Sequence, residues 1–156
     1  MRLWSLVAEP KQLIAAGGAI FTADILARLV LWLLRPHEQT DVLFGLGVYG
    51  VVLVVVVAIS VTWTRRYVAS WVAARLALAG FPSAIVIGVV GPLASGDAIG
   101  QGGVTVTMFR VLLTMAVMTA GAVVGVLSAV ALGQDPTSRA WRAQAEQVLA
   151  KRRAAK

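Results

Sequence analysis

The chain holds no cysteine, a single histidine and only seven Asp and Glu residues in 156. Without cysteine, disulfides and thiol chemistry are excluded, and the redox compartment stays open. With one imidazole, His37, and only Glu38 and Asp41 near it in sequence, no closed zinc or iron set can be assembled. No Ser/His/Asp set, no His-rich helix and no pair of carboxylates on one apolar run is present, so the chain is read as a non-enzyme with no cofactor and no metal. A phosphate-cradling GxxxxGK[ST] is also missing, which excludes self-energised transport. GLGVYG formally matches GxGxxG at Gly45, Gly47 and Gly50, but it opens a long apolar run instead of following a strand, so no nucleotide site is expected.

Charge is scarce too: 13% of residues are charged, against 59% that are hydrophobic. A soluble domain of this length carries about twice that charge. The apolar residues gather into four runs, residues 12–34, 42–63, 76–93 and 104–132. A helix needs about 20 apolar residues to cross the ~30 Å hydrocarbon layer. The fold class expected is therefore all-α, a polytopic integral membrane protein with four transmembrane helices. Residues 1–134 form the four-helix transmembrane domain, and 135–156 form a cytoplasmic basic amphipathic helix.

The basic residues alternate between the gaps. Arg2, Lys11, Arg65, Arg66, Arg75, Arg139, Arg142, Lys151, Arg152, Arg153 and Lys156 fall on one side of the four runs. Arg35 alone falls on the other, beside Glu38, Asp41 and Asp97. Positive residues stay on the cytoplasmic side, so both termini are expected in the cytoplasm. Abundant Ala, Val, Gly and Arg suggest a bacterial genome of high GC content, which makes the expected location the bacterial inner membrane. No cleavable signal peptide is read at the start, because Asp24 and Arg28 interrupt the first run. The net charge of +7 is assigned to orientation and to anionic phospholipid, not to nucleic acid.

Several local patterns refine this outline. Residues 1–9 place Trp4 among short apolar residues, as an interfacial anchor would. Between Arg65 and Arg75, Tyr67 and Trp71 stand four residues apart among arginines, again an interfacial pattern, and the segment is expected to run helically into the third run. Pro82 interrupts the third run, and a kink is expected there because the Leu78 carbonyl loses its partner. Pro92 and SGDAIGQGG close that run in an outer loop. Asp135 followed by Pro136 reads as an N-cap and first helical residue. Beyond them Trp141, Ala145, Val148 and Leu149 share one helical face within a basic surround. Arg65, Arg66, Trp71, Arg139, Trp141, Arg142, Lys151, Arg152 and Arg153 are the residues expected at the lipid surface.

Two stripes of small residues mark candidate packing faces, for helices of this chain or of a partner: Ala15, Ala19, Ala23 and Ala27 in the first run, and Gly121, Gly125 and Ala129, continued by Gly133, in the fourth. Three ionisable residues lie within the runs. At ~1.5 Å per residue, Arg28 and Asp24 sit about 9 and 15 Å from the outer edge, and Arg110 about 9 Å from its own. A charge at such a depth costs at least ~2.5 kcal/mol, so Asp24, Arg28 and Arg110 are expected to face protein and pair. One acid against two arginines leaves a positive surplus for a partner subunit or a lipid phosphate.

Spans and packing stripes without a catalytic or energy-coupling set point to a small accessory or stabilising subunit of a larger bacterial membrane complex. Its expected partners are other integral membrane subunits and anionic phospholipid. A transporter assembly, such as a lipid importer, is the specific expectation, by analogy of architecture. The alternative is a self-sufficient small transporter or channel acting as a homo-oligomer.

Overall fold

A computed structural model describes residues 10–34, 42–94 and 103–154, all of them in helices or the short turns between them. The helices are α1 (Pro10–Leu34), α2 (Val42–Thr64), α3 (Ala69–Ala94), α4 (Gly103–Ala131) and α5 (Pro136–Ala154). At 1.5 Å per residue, α1 to α4 measure about 37, 35, 39 and 44 Å. All four are long and apolar enough to cross a membrane. The expectations for residues 1–9, for the segment around His37, Glu38 and Asp41, and for Ser95–Gly102 lie outside the described residues.

α1 packs against α2 and α3, and α4 packs against the same two, so α1 and α4 occupy opposite corners of the bundle. Three apolar layers fill the interior. Ala27, Phe44 and Val48 form one end, and Ile20, Val52, Val56, Ala84, Ile87 and Met118 the middle. Ala16, Trp63, Val72, Leu76 and Ala79 form the other end, where the α2–α3 and α4–α5 connections meet. That end carries Lys11, Arg65, Arg66, Arg75, Arg139 and Arg142 and is called the basic end below.

Close approach replaces a hydrophobic driving force where lipid surrounds the helices. The buried hydroxyls follow the same logic. Ser60 donates to the Val56 carbonyl at 2.7 Å, Thr64 to Ser60 at 2.7 Å, Ser83 to Ala79 at 2.8 Å and Thr114 to Arg110 at 2.8 Å. Each of these hydroxyls satisfies itself one turn back along its own helix, so none of the four faces an apolar neighbour with its hydrogen bond unmade.

α3 begins at Ala69, so the segment before the third apolar run leads into it helically, and Arg75 lies within the helix with its side chain fully buried. α3 continues through Pro82 as one helix, with the proline on its exposed side. Gly45, Gly47 and Gly50 lie within α2; Gly47 faces Leu31 of α1, and the other two have open space.

Candidate functional site

Asp24 is the single carboxylate within the four long helices, and it is wholly buried. Arg28, one turn along α1, donates through Nε to one carboxylate oxygen at 2.8 Å and through its terminal nitrogen to the other at 3.4 Å. The fork geometry lets one arginine serve both oxygens. Across the interface, the Arg28 guanidinium lies over Gly91 of α3, where even a methyl group would approach Nε to 3.0 Å. The pair thus sits at the α1–α3 seam. Arg110 is half-buried on α4, its carbonyl accepting from Thr114.

The fourth-run stripe is a packing face within this chain. Gly121, Gly125 and Ala129 are buried, and the glycines meet α2. A methyl group on Gly121 would lie 3.2 Å from the Leu53 carbonyl oxygen; one on Gly125 would lie 2.5 Å from the Ser60 Cβ and 2.8 Å from the Val57 carbonyl oxygen. The first-run stripe behaves differently. The buried line of α1 is Ala16, Ile20, Asp24 and Ala27. Ala15 and Ala19 are exposed and Ala23 is half-buried, so of the expected stripe only Ala27 is buried within the chain.

Arg75 was visible in the sequence only as one more basic residue. In the structure it is the largest fully buried side chain. Its guanidinium carbon lies 3.6 Å from the Trp71 ring centre, 4.8 Å from Tyr67 and 6.0 Å from Trp63. It donates to the Gln12 side-chain oxygen at 2.9 Å, which fastens α3 to the start of α1. Cation–π contacts gain strength when water is excluded, reaching about 2 kcal/mol or more. Trp71, expected at the lipid surface, is half-buried and stacks on this cation, with its centroid 4.7 Å from that of Tyr67. The four-residue spacing of Trp71 and Arg75 puts them one turn apart on α3, and Tyr67 reaches them from the connecting turn.

The remaining basic residues surround the α4–α5 junction. Gly133 has φ +62°, and its N–H bonds the Val130 carbonyl at 2.8 Å while the Gln134 N–H bonds Ala129 at 2.9 Å. This paired arrangement closes α4, and a left-handed residue in it favours glycine. Arg65 Nε donates to the Gln134 side-chain oxygen at 2.7 Å, and Arg139 donates to the Arg65 carbonyl, so the two connections are tied together. α5 then begins as expected, with the Ser138 N–H donating to the Asp135 carboxylate at 3.0 Å. From Arg139 to Arg153 every residue is exposed, including Trp141, Arg142, Val148, Leu149, Lys151 and Arg152. α5 therefore leaves the bundle after its first turn with one apolar face uncovered.

The Ser138 hydroxyl and N–H hold the Asp135 carboxyl below its ordinary value. A lowered folded pKa stabilises the cap above the unfolded value and ceases to do so as pH falls through the folded one. The helicity of α5 is thus expected to be constant at neutral pH and to fall only in acid, below the usual carboxylate range. Circular dichroism of the 132–156 peptide against pH checks this, with Asp135→Ala expected to be less helical at pH 7 and to lose the acid transition.

Among the described residues, no group of three or more His, Asp or Glu side chains is placed to hold a metal ion. The chain matches no protein-family model, no curated protein and no solved structure.

Proposed function

We propose that this chain is a small non-catalytic accessory subunit of a larger bacterial membrane complex, and specifically of a transporter assembly such as a lipid importer. The four long helices span the inner membrane, and both termini lie in the cytoplasm, as the basic asymmetry requires. The observation that carries the reading is the state of Asp24. A proton- or ion-carrying carboxylate must meet water during its cycle. Asp24 has no exposed surface, and both its oxygens are engaged by Arg28. A carboxylate held in this way supports a structural role for the Asp24–Arg28 pair and disfavours a self-sufficient transporter. The exposed Ala15 and Ala19 leave the outer face of α1 open to the backbone of a helix from another subunit.

The test is purification from native membranes in a mild detergent through a tag on the chain, with mass spectrometry of what co-elutes. One or more integral membrane proteins in fixed stoichiometry are expected, and the isolated chain in liposomes should support no ion or lipid flux. A homo-oligomer that alone carries flux would overturn the proposal.

On this reading α5 rests on the anionic inner leaflet, where each basic residue near the surface contributes about 1 kcal/mol. Changing Lys151, Arg152 and Arg153 to glutamine should weaken binding of the 135–156 peptide to anionic vesicles by roughly two orders of magnitude at low salt. Added salt should weaken the native peptide likewise, since exposed charges are screened beyond ~10 Å at 0.1 M. Equal binding to neutral and anionic vesicles would refute the surface role.

A further inference from the structure

α3 and α4 touch most closely toward the end of the bundle away from the basic end. There Gly88 meets Val111 so tightly that no side chain would fit between them. Toward the basic end α4 instead closes on α2 through Gly121 and Gly125, and it diverges from α3. The divergence leaves an open crevice of about 490 Å³. Its walls include Ala73 and Phe81 of α3 and Met115 and Leu127 of α4, and Ile20 and Val56 form its floor. The one polar lining residue, Thr119, spends its hydroxyl on the Met115 carbonyl at 2.8 Å. The crevice therefore offers an occupant apolar contact and no hydrogen-bonding demand along its length.

Its dimensions and its charged end identify that occupant. It runs from residue 81 to residue 69 on α3 and from 115 to 127 on α4. Twelve helical steps are about 18 Å, close to the depth of one leaflet of a ~30 Å hydrocarbon layer. A second helix crossing the membrane would need a face along the whole span. The crevice ends at Ala69 and Leu127, toward the end of the bundle where the Arg65–Gln134 bond joins the α2–α3 and α4–α5 connections; Arg65 and Arg66 belong to the first connection, and Arg139 and Arg142 to the start of α5. An apolar slot one leaflet deep that runs toward the arginine-rich end of the bundle is complementary to an anionic amphiphile.

We infer that the α3–α4 crevice binds one anionic phospholipid of the inner leaflet, an acyl chain lying between the two helices and the headgroup phosphate among the arginines of the basic end. Guanidinium groups suit phosphate because they present several donors in one plane. The inference rests on the proposal that these helices span a membrane, and it adds a discrete lipid site to the diffuse surface contact of α5. Such a site gives a lipid-handling assembly a place where one lipid is held against this subunit.

Native mass spectrometry of the detergent-purified full chain, titrated with phosphatidylglycerol or with phosphatidylcholine of the same acyl chains, tests the site. One phosphatidylglycerol should be retained per chain, and about tenfold or more in preference to phosphatidylcholine, as two or more arginines near the phosphate imply. Ala73→Trp and Leu127→Trp fill the crevice from opposite walls, and each should abolish the retained lipid. Arg66→Gln combined with Arg142→Gln changes only exposed side chains outside the tie of Arg65, Gln134 and Arg139, and should reduce phosphatidylglycerol to the level of phosphatidylcholine. Equal retention of the two lipids, or undiminished retention in both tryptophan variants, overturns the site. So does a chain that dimerises through the crevice, seen as a native dimer that either tryptophan variant converts to monomer without changing the bound lipid. Extraction of membranes with alkaline carbonate separates the two ideas. If the chain washes off, the membrane-spanning reading fails; if it stays while the lipid pattern fails, only the site falls.

Discussion

Gly125→Leu is expected to break the α2–α4 seam. At this position even a methyl group would press on the Ser60 Cβ and the Val57 carbonyl oxygen at 2.5 and 2.8 Å. Both belong to the body of α2, so neither can swing aside as the end of a long side chain could. The helices must separate, and Gly121 loses its contact with Leu53 and Val56 with them. Overpacking of a soluble core costs about 1–3 kcal/mol. Here the loss should meet or exceed the upper figure, because close packing is most of what joins helices in lipid. Thermal unfolding of the purified chain should show a large fall in midpoint, with a matching fall in membrane abundance. Gly50→Ala has open space around it and serves as the control that should change neither. A Gly125→Leu protein of native stability would show that α2 and α4 do not pack through these glycines.

The second large effect concerns the buried pair. Asp24→Asn keeps a hydrogen-bonding group of the same size but removes the charge that Arg28 faces. Removing one partner of a buried pair costs about 3–5 kcal/mol in soluble proteins, and the ability of arginine to reach toward headgroups should lower that figure in a membrane. Reduced abundance, or loss of a co-purifying partner, is expected. Arg28→Gln in the same chain should restore part of it, since two neutral amides can bond each other at that spacing. A proton-carrying role predicts the opposite pattern: normal abundance, lost flux and no rescue by the second change.

Much of the fold could be read from the sequence because its signals are long or local. Twenty-residue apolar runs place α1, α2 and α4 within two residues, and the Asp135–Pro136 cap is a two-residue signal that the structure meets with the Ser138 bond. The Asp24–Arg28 pair follows from four-residue spacing alone. What escaped depended on rotation and on neighbours. In an alanine-rich helix a one-residue shift of the packing stripe leaves the composition unchanged, so spacing alone pointed to Ala15, Ala19 and Ala23, whereas the buried line runs through Ala16, Ile20 and Asp24, the residue whose charge already turned it inward. Arg75 looked like a boundary charge because the three rings that shield it come from α2, the connecting turn and α3, and Gln12 from α1. The crevice between α3 and α4 arises from the direction of two helix axes, which glycines at distant positions set jointly.

The proposed role requires four helices that cross the membrane with both ends in the cytoplasm. The natural chain has no cysteine, so single cysteines can be introduced without removing any. Cells carrying Gly100→Cys or Ala154→Cys are treated with a membrane-impermeant maleimide before and after permeabilisation. The account predicts that position 100 reacts in intact cells and that position 154 reacts only once the membrane is opened. Reaction of position 154 in intact cells, or identical behaviour at both positions, would contradict it.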